Sequence, residues 1–534
     1  MIFKKWNCKD GIPYNSCTRT YRVRMKKVYI TTAIDYANGK PHIGHAYEKI
    51  LADTISRMFR LQNLDVQFMT GLDEHGLKVS QSAAKARVPE QTHCDNIAED
   101  FKNLCKKLNI KYDRYIRTTE SEHKQVVRKC LQKLYDDGQI YKADYSGLYS
   151  KTAERFVLEK DKIDGKWPAD FGEVIEISET NYFFQLKKYQ RWLIDYIESH
   201  PKFIFPAFRA KQVLEFLKDP INDLCISRPK NRLSWGIELP FDSEYVTYVW
   251  FDALINYITG ANYLDKTFTN YWPADYHIIG KDILVPAHAI YWPIMLHALH
   301  IELPKTLLVH GWWLISGEKM SKSAGNVVNP LECIEKFGVD AFRYYLMREM
   351  TIGQDGDFSF DRFITRYTGD LANDLGNLLS RLLNMGHRYC DGTIKAITKT
   401  ENLEEDLRNL WQSAIPEIIS LYNEFAFHSA LEKLFLCIKA VNGYVENRSP
   451  WKLAKSNEEG DKQMIDITIA MSAECVRLAA ILLSPIMPTT SQQILSVLGC
   501  PTSTNWNTDI RFGNSLTGNK LGEQIILFPK IEEA

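Results

Sequence analysis

The chain has 534 residues, more than one compact hydrophobic core normally holds, so several structural units are expected. Hydrophobic residues make up 45% and charged residues 25%, while 66 basic residues balance 66 acidic ones, so the overall charge gives no support for nucleic-acid binding; an RNA partner would need a local basic face. The sequence contains no long uncharged apolar run of the kind that predicts a membrane span. The 11 cysteines include no CxxC pair, which argues against a disulfide framework or a zinc knuckle.

The N-terminal residues 1–26 are basic and contain one acid, Asp10. An arginine-rich, acid-poor start is typical of a mitochondrial transit peptide. However, Gly11 and Pro13 would break an amphipathic helix, and Met25 resembles a natural start directly before the first strand. The sequence therefore favours a disordered leader and a cytoplasmic protein. The alternative is a transit peptide over residues 1–24 and a location in the mitochondrial matrix.

The first predicted elements form a strand–helix–strand unit. Val28–Thr32 is a β-branched and aromatic run that predicts a buried strand, and Asp65–Thr70 predicts a second one. Between them apolar residues repeat at helical spacing. This order predicts a parallel sheet, in which ligands bind beyond the carboxyl ends of the strands. The segments His42–His45 and Leu72–His75 both fall at that edge.

Later segments divide the chain further. Residues 27–140 are interpreted as the first half of the parallel-sheet domain. Aromatic-rich strands, loops and one helix are predicted over residues 141–240, which we interpret as an insertion into that domain. Sheet-like sequence resumes over residues 241–310, at Tyr245–Val249, Tyr276–Ile279 and Thr306–Val309. A Gly-rich loop, a helix-forming stretch and a Gly/Asp-rich loop follow over residues 311–362. Apolar periodicity then predicts an α-helical bundle over residues 363–534.

Two histidines lie at the predicted start of the first helix. His42 and His45 are three residues apart, so their side chains face the same way. A helix N-terminus offers N–H donors and the positive end of the helix dipole, which suit a phosphate. Gly44 has no side chain and would let a flat base or backbone approach closely. Taken alone, the pattern fits a pair of histidines that caps a helix equally well.

Two lysines lie far downstream between glycines. Lys319 and Lys322 are also three residues apart, with Gly317 and Gly325 on either side. Ammonium groups on flexible stems suit a migrating pyrophosphate. A lysine pair in a loop is usually only solvated, but its occurrence together with the histidine motif makes that interpretation weak.

The two motifs together resemble those of a known enzyme family. Pro41–His45 and Lys319–Ser323 are similar to the signatures of class I aminoacyl-tRNA synthetases, and the wider segments Tyr36–His45 and Gly317–Ser323 resemble those of methionyl-tRNA synthetases. The resemblance implies an α/β fold with a Rossmann-type parallel nucleotide-binding core, a connective insertion, a stem-contact segment and an all-α anticodon-binding bundle. It implies activation of methionine with ATP and Mg²⁺, then transfer to tRNA(Met). His42, His45, Lys319 and Lys322 would be the catalytic residues.

The resemblance also implies a methionine pocket. Asp73 matches the carboxylate that holds the substrate ammonium. Aromatic edges around a polarisable sulfur would select methionine over branched aliphatic side chains. The other residues that match the pocket are Ile34, Tyr36, Trp250, Ala253, Leu254, Tyr257, His288 and Trp292. Leu254 stands where many relatives have proline, and Trp250 and Tyr257 could otherwise be ordinary core residues.

Gly280-Lys281-Asp282 resembles the ribose-binding turn of the family, so Gly44, Gly280, Asp282 and Lys322 are expected to bind ATP. One departure concerns zinc. Many relatives carry zinc knuckles in the insertion, whereas Tyr145–Leu186 contains no cysteine, so no structural zinc is expected. The insertion is also too short for a large editing domain, which argues against leucyl, isoleucyl and valyl enzymes.

The predicted bundle carries the residues that match anticodon readers. Asn377 and Arg381 lie on one polar stripe, and Trp451 follows Ser449-Pro450, a predicted N-cap and first helical residue. Unstacked RNA bases are typically bound by aromatic stacking and by amide or guanidinium hydrogen bonds. Without the resemblance, such a stripe would predict only a solvated helix face.

Three alternatives follow from the same residues. One is a class I synthetase for another small amino acid such as cysteine, and the second is a non-catalytic tRNA-binding paralogue. A small nucleotidyltransferase with the histidine motif is disfavoured by length and by the helical C-terminal region. Methionine and tRNA(Met) are the expected partners, and a monomer is the expected state.

Overall fold

The computed structural model describes residues 26–150, 155–157, 159, 162–163, 165–168, 171–319, 328–456, 458–502, 504–513 and 515–531. Predictions for residues 1–25 and for Lys322 lie outside the described residues. The strands are β1 Lys27–Thr32, β2 Asp35–Tyr36, β3 Asp65–Asp73, β4 Arg114–Arg117, β5 Ile140–Ser150, β6 Arg155–Val157, β7 Val174–Phe184, β8 Ile204–Phe205, β9 Leu224–Cys225, β10 Ser227–Pro229, β11 Glu238–Leu239, β12 Asp242–Thr247, β13 Tyr276–Gly280, β14 Leu307–His310, β15 Trp313–Ile315, β16 Glu318–Lys319 and β17 Gly356–Asp357.

The α-helices lie between the strands and make up most of the C-terminal third. They are α1 Ile43–Leu61, α2 Leu77–Ala86, α3 Glu90–Lys107, α4 Ser121–Asp136, α5 Gln190–Ser199, α6 Ala207–Phe216, α7 Val249–Leu254, α8 Asn256–Gly260, α9 Phe268–Tyr271, α10 Trp292–Ala298, α11 Pro330–Phe337, α12 Val339–Glu349, α13 Phe360–Arg366, α14 Asn377–Tyr389, α15 Asn402–Asn423, α16 Phe427–Arg448, α17 Pro450–Leu453, α18 Glu459–Leu483, α19 Pro488–Val497 and α20 Trp506–Asp509. None of these helices is long and apolar enough to cross a membrane.

A parallel sheet forms the centre of the N-terminal half. Its strands follow the order β4-β3-β1-β13-β14-β8. The short strand β2 pairs with Leu72 and Asp73 at the carboxyl end of β3, on the side of β3 that faces away from β4. Alternate residues of β1 enter different cores: Val28 and Ile30 pack with α1, whereas Tyr29 packs with Met69 on the other face. This burial on both faces explains the continuous apolar run of β1, and the predicted α/β class is confirmed.

The insertion differs from its prediction in two ways. β5 and β7 pair antiparallel along their whole length, as an aromatic-rich ribbon. However, β8 pairs in parallel with β14, so one strand within the range 141–240 belongs to the main sheet. The same range holds two α-helices, α5 and α6, instead of one. β8 is two residues long, too short for any periodic signal.

The predicted strand Tyr245–Val249 is also partly wrong. β12 ends at Thr247, α7 begins at Val249, and β12 pairs with β10 and β11 in a separate three-stranded sheet. Val, Trp and Phe favour strands intrinsically, but burial of Phe251 and Leu254 on one side of a short helix outweighs that preference.

The helical bundle is continuous with the first core. Apolar residues of α1, α12 and the C-terminal helices form one cluster. At this junction the fully buried Arg343 donates to Asp53 at 2.7 Å and to the carbonyl oxygens of Ile486 at 2.7 Å and Leu108 at 3.1 Å. A buried guanidinium needs such a complete set of acceptors, so Arg343 fixes the bundle against the sheet domain.

Candidate active site

The rings of the two signature histidines cap α1 by accepting backbone N–H groups at the start of the helix. His42 is the N-cap, and its Nδ1 accepts the N–H of Gly44 at 3.1 Å. The N–H of His42 in turn donates to Nδ1 of His45 at 3.1 Å. Because both rings accept at Nδ1, each neutral imidazole carries its proton on Nε2. The two histidines predicted to be catalytic are therefore also the residues that cap the helix.

Gly44 is required by this arrangement itself. A Cβ at position 44 would lie 2.9 Å from Cε1 and 3.1 Å from Nδ1 of His42. The sequence predicts a glycine here for a different reason, the close approach of a flat base or backbone. The contact with His42 is sufficient to explain a glycine here.

A cavity of about 550 Å³ opens at the carboxyl ends of the central strands. It brings together predicted residues from the first signature, from the ribose-type turn and from the methionine pocket. Those on its wall are Ile34, Tyr36, His42, Gly44, His45, Asp73, Trp250, Ala253, Leu254, Tyr257, Gly280, Asp282 and His288. Trp292 is fully buried behind the wall, with its ring centroid 5.6 Å from that of Tyr257. A larger cavity of about 770 Å³ beside the insertion contains none of the predicted residues.

The aromatic wall has a defined polarity. His288 hydrogen-bonds through Nδ1 to the carbonyl oxygen of Ile283 at 2.8 Å, so Nδ1 carries the proton and Nε2 accepts from the hydroxyl of Tyr257 at 2.7 Å. Burial lowers the pKa of His288 to about 4, which keeps the ring neutral at physiological pH. Tyr257 also stacks on His277 at 4.1 Å. The wall is thus uncharged and fixed by hydrogen bonds.

His277 supports this wall and was not found from the sequence. It is fully buried on β13, its Nε2 accepts from Nε1 of Trp292 at 3.2 Å, and its Nδ1 hydrogen-bonds to Thr31 at 2.7 Å. Burial holds the pKa of His277 well below its usual range. The indole of Trp292, behind the wall, therefore helps to fix the orientation of Tyr257 and His277.

The turn that carries Asp73 is linked to the aromatic wall through Asp252. His75 Nδ1 lies 2.6 Å from one carboxylate oxygen of Asp252, and His123 Nε2 lies 2.7 Å from the other. Burial would raise the pKa of Asp252, but the two histidines outweigh it and lower the pKa to about 2. Asp252 is therefore ionised, and it joins the turn after β3, helix α4 and helix α7. The acid within the aromatic run Val249–Leu254 was the available signal for this role.

A charged cluster lies beneath the histidine motif and was also missed. The buried ammonium of Lys49 contacts Asp35 and Glu48 at 3.1 Å each, and Glu48 also bonds to His310 at 3.1 Å. One ammonium cannot neutralise two carboxylates fully. Burial raises the pKa of Asp35 to about 7, whereas Lys49 and His310 overcome burial and lower that of Glu48. Asp35 Oδ1 lies 4.0 Å from Nε2 of His45, so the cluster adjoins the histidine motif.

The second signature is described only in part. β15 and β16 form a tight hairpin around Ser316 and Gly317, both with positive φ. Lys319 ends β16, whereas residues 320–327, including Lys322, lie outside the described residues. β15 also pairs with β17, which fixes the start of this loop beside the cavity.

In the bundle the structure brings two predicted anticodon residues together. The guanidinium of Arg381 lies 5.3 Å from the ring centroid of the half-buried Trp451 and bonds to Glu446 at 3.1 Å. Asn377 begins α14 and is exposed. Ser449 occupies the predicted N-cap position, but its side chain does not cap α17: Ser449 has φ 45°, and its hydroxyl donates to the carbonyl oxygen of Glu446. Pro450 does begin α17.

Comparisons with known proteins agree with this geometry. The chain matches the family model "tRNA synthetases class I (M)" over residues 28–173 and 171–383, and "Anticodon binding domain of methionyl tRNA ligase" over residues 395–534. It is 42% identical over 514 residues to the methionine–tRNA ligase of Caldanaerobacter subterraneus subsp. tengcongensis, covering 95% of this chain and 80% of that protein.

Two solved structures are also similar to this chain over nearly its whole length. Mycobacterium tuberculosis methionyl-tRNA synthetase in complex with methionyl-adenylate superposes with a TM-score of 0.89 at 39% identity, covering 95% of this chain and all of that chain. Its apo form superposes with a TM-score of 0.83 at 35% identity, covering 96% and 99%. The family expected from the two signatures is confirmed: this chain belongs to the class I methionyl-tRNA synthetases, the methionine–tRNA ligases.

Proposed function

We propose that the 550 Å³ cavity is where methionine and ATP react to form methionyl-adenylate, before the methionyl group passes to tRNA(Met). The observation that carries this proposal is the composition of the cavity wall. The histidine motif, the ribose-type turn, a buried carboxylate and an aromatic wall all line one space. Each group suits a different part of the two substrates.

At one end the cavity would hold methionine. Asp73 would bind the α-ammonium group, since a carboxylate is its natural partner. Trp250, Tyr257 and His288 would surround the thioether, with Ala253, Leu254, Ile34 and Tyr36 completing the pocket. A neutral His288 avoids placing a charge beside the sulfur. Trp292 supports the wall from behind through Tyr257 and His277.

At the other end the cavity would hold ATP. The Nε2–H groups of His42 and His45 and the N-terminus of α1 would face the phosphates, as donors and as a positive dipole end. Gly280 and Asp282 would hold the ribose. Lys319 and Lys322 would add positive charge as the pyrophosphate forms.

The reaction would need no enzyme nucleophile. A carboxylate oxygen of methionine attacks the α-phosphorus, the bond to the bridging oxygen of the β-phosphate breaks, and pyrophosphate leaves. A terminal ribose hydroxyl of tRNA then attacks the methionyl carbonyl carbon, its proton is released, and AMP leaves. The protein supplies position and charge stabilisation.

Mg²⁺ is expected to arrive with the triphosphate. In the described residues no cluster of three or more His, Cys, Asp or Glu side chains could hold a metal by itself, and no step above passes through the ion. We also expect no stoichiometric zinc, because residues 145–186 contain no cysteine. Elemental analysis of purified protein tests this, and one zinc per chain would overturn it. The monomeric state and the cytoplasmic location stay predictions.

ATP–pyrophosphate exchange with each of the twenty amino acids tests the proposal. Exchange with methionine alone is the expected result. Exchange with another amino acid would favour a synthetase for that amino acid, and no exchange with any would favour a non-catalytic tRNA-binding paralogue. Lys322→Ala is the internal control, because its loss should abolish most of the exchange without changing which amino acid is used.

A further inference from the structure

Trp312 makes three contacts beside the cavity, two through its indole and one through its backbone. Its Nε1–H donates to Asp282 Oδ1 at 3.1 Å, and its backbone N–H donates to Asp355 Oδ1 at 2.9 Å. The ammonium of Lys281 lies 4.1 Å from the centroid of its ring, in a cation–π contact. The orientation of the indole is therefore fixed relative to Asp282.

Asp355 organises these contacts from a neighbouring loop. Its Oδ2 lies 2.6 Å from Nζ of Lys281. Partial burial would raise the pKa of Asp355, but the hydrogen bond from Lys281 lowers it, so the carboxylate is ionised. The loop itself lies tightly against the end of β14: a Cβ on Gly311 would come 1.9 Å from the carbonyl oxygen of Gln354. Lys281 is thus engaged with Asp355 and Trp312.

The carboxylate of Asp282 occupies a place that only glycine at position 280 allows. A Cβ on Gly280 would lie 2.6 Å from Asp282 Oδ1. The same oxygen accepts from Trp312. An ionised carboxylate has further acceptor capacity on both oxygens, which can serve ribose hydroxyls.

We propose that Trp312 is a positioning residue for nucleotide recognition, whose indole N–H orients the Asp282 carboxylate toward the ribose hydroxyls of ATP. This inference rests on the proposed role of Asp282 in ribose binding. Without the indole donor the carboxylate rotates more freely, so nucleotide binding weakens. Methionine binding does not depend on this contact, because the methionine wall lies on α7, α8 and the segment around His288.

ATP–pyrophosphate exchange with the full chain tests the proposal. Trp312→Phe removes the N–H and keeps an aromatic ring for Lys281. Trp411→Phe is the matched control, since Trp411 is fully buried in the bundle and its Nε1 has no hydrogen-bond partner among the described residues. Asp282→Asn tests the ribose assignment separately. Each protein is measured with ATP, 2′-deoxy-ATP and 3′-deoxy-ATP.

The expected result for Trp312→Phe is a rise in KM for ATP of about 3- to 10-fold, with KM for methionine nearly unchanged. Its preference for ATP over at least one deoxy analogue should fall by a similar factor, whereas Trp411→Phe keeps that preference. The preference is a ratio of kcat/KM values and does not depend on the folded fraction of a weakened variant.

Two outcomes would overturn the proposal in distinguishable ways. If Asp282→Asn loses the preference and Trp312→Phe keeps it, Asp282 binds ribose but Trp312 does not position it. If Asp282→Asn itself keeps both KM for ATP and the preference, the ribose assignment fails and the role of Trp312 fails with it.

Discussion

The imidazole rings of His42 and His45 lie 3.8 Å apart, centroid to centroid, at the N-terminus of α1. Each ring uses Nδ1 to accept a backbone N–H within the cap. This leaves Nε2 as the protonated nitrogen in both neutral rings, the form suited to donate toward phosphate oxygens. A change that moves the ring of His42 should therefore damage catalysis before it damages folding.

Gly44→Ala provides that change. The added Cβ would lie 2.9 Å from Cε1 of His42, so the ring must shift. Alanine has the better helix propensity by up to about 1 kcal/mol, so the free energy of unfolding should not fall much. We expect the exchange rate to fall on the order of 10- to 100-fold, because a small misplacement at a reacting group is costly.

Gly443→Ala in α16 is the matched control for this prediction. A Cβ there meets nothing within 4 Å, so the variant should keep full exchange activity and gain a little stability. Full activity of Gly44→Ala with an unchanged thermal midpoint would show that the position of the His42 ring does not matter.

Lys322→Ala should reduce the rate of methionine activation on the order of 10²–10³-fold. The ammonium would stabilise the phosphates only while pyrophosphate separates, so kcat should fall far more than methionine affinity. Pre-steady-state adenylate formation checks this directly. A variant that forms the adenylate at nearly the normal rate would remove Lys322 from the mechanism.

Asp252→Asn tests the link between the turn that carries Asp73 and the aromatic wall. The amide cannot accept from both His75 and His123 as the carboxylate does, and we expect a loss of about 2–3 kcal/mol in stability. KM for methionine should rise several-fold, because Asp73 and Trp250 lie on the two segments that Asp252 joins.

Glu474→Gln is the control for Asp252→Asn. Glu474 is equally buried and pairs with Arg477 at 2.7 Å, but in the bundle. It should lower the thermal midpoint without changing KM for methionine. Equal effects of both variants on KM would mean that Asp252 contributes only to stability.

The buried carboxylate of Asp252 also predicts how the stability of the protein changes in acid. The pKa of Asp252 is about 2 in the folded protein against an ordinary value of 3.8. A depressed pKa means that its stabilising contribution is complete above about pH 4 and is lost as the pH falls toward 2; the shift corresponds to about 2–3 kcal/mol. The difference in thermal midpoint between the wild type and Asp252→Asn should therefore narrow from pH 6 to pH 3. A constant difference would contradict this.

Much of the fold could be predicted because its signals are local. The run Val28–Thr32 and the helical spacing up to Phe59 correspond to β1 and α1 within a few residues. By contrast, the polar support of the site depends on distant partners: Asp252 bonds to residues 177 and 129 positions away. Periodicity carries no information about such pairs.

Buried charged residues were the second feature that could not be predicted from the sequence. Glu48 and Lys49 stand beside apolar residues of α1 and would ordinarily be assigned to solvent, yet both are buried in the cluster with Asp35 and His310. Only the tertiary structure supplies the compensating charges. Trp312 was missed for a related reason, since its partners Asp282 and Asp355 come from two separate loops.

Trp451→Ala should separate the two half-reactions. Trp451 is half-buried in the bundle, under the guanidinium of Arg381, and we expect it to stack on an anticodon base. Loss of a stacked base costs roughly 1–3 kcal/mol, so kcat/KM for tRNA should fall about ten- to more than a hundredfold. We expect methionine activation to use only the cavity in the sheet domain, so exchange should hardly change.

The competing explanation is that Trp451 only packs against the bundle core, which its apolar neighbours allow. Trp411→Ala gives the profile expected of a purely structural residue. Trp411 is fully buried in the same bundle, so its truncation should lower the free energy of unfolding by about 3–5 kcal/mol and impair both reactions together. If Trp451→Ala has the same profile as Trp411→Ala, its role is structural. If it is stable and charges tRNA normally, the anticodon assignment fails. A stable variant with normal exchange and weak charging is the outcome we expect, because Trp451 and Arg381 present one stacking face and one guanidinium from adjacent helices, as recognition of an unpaired base requires.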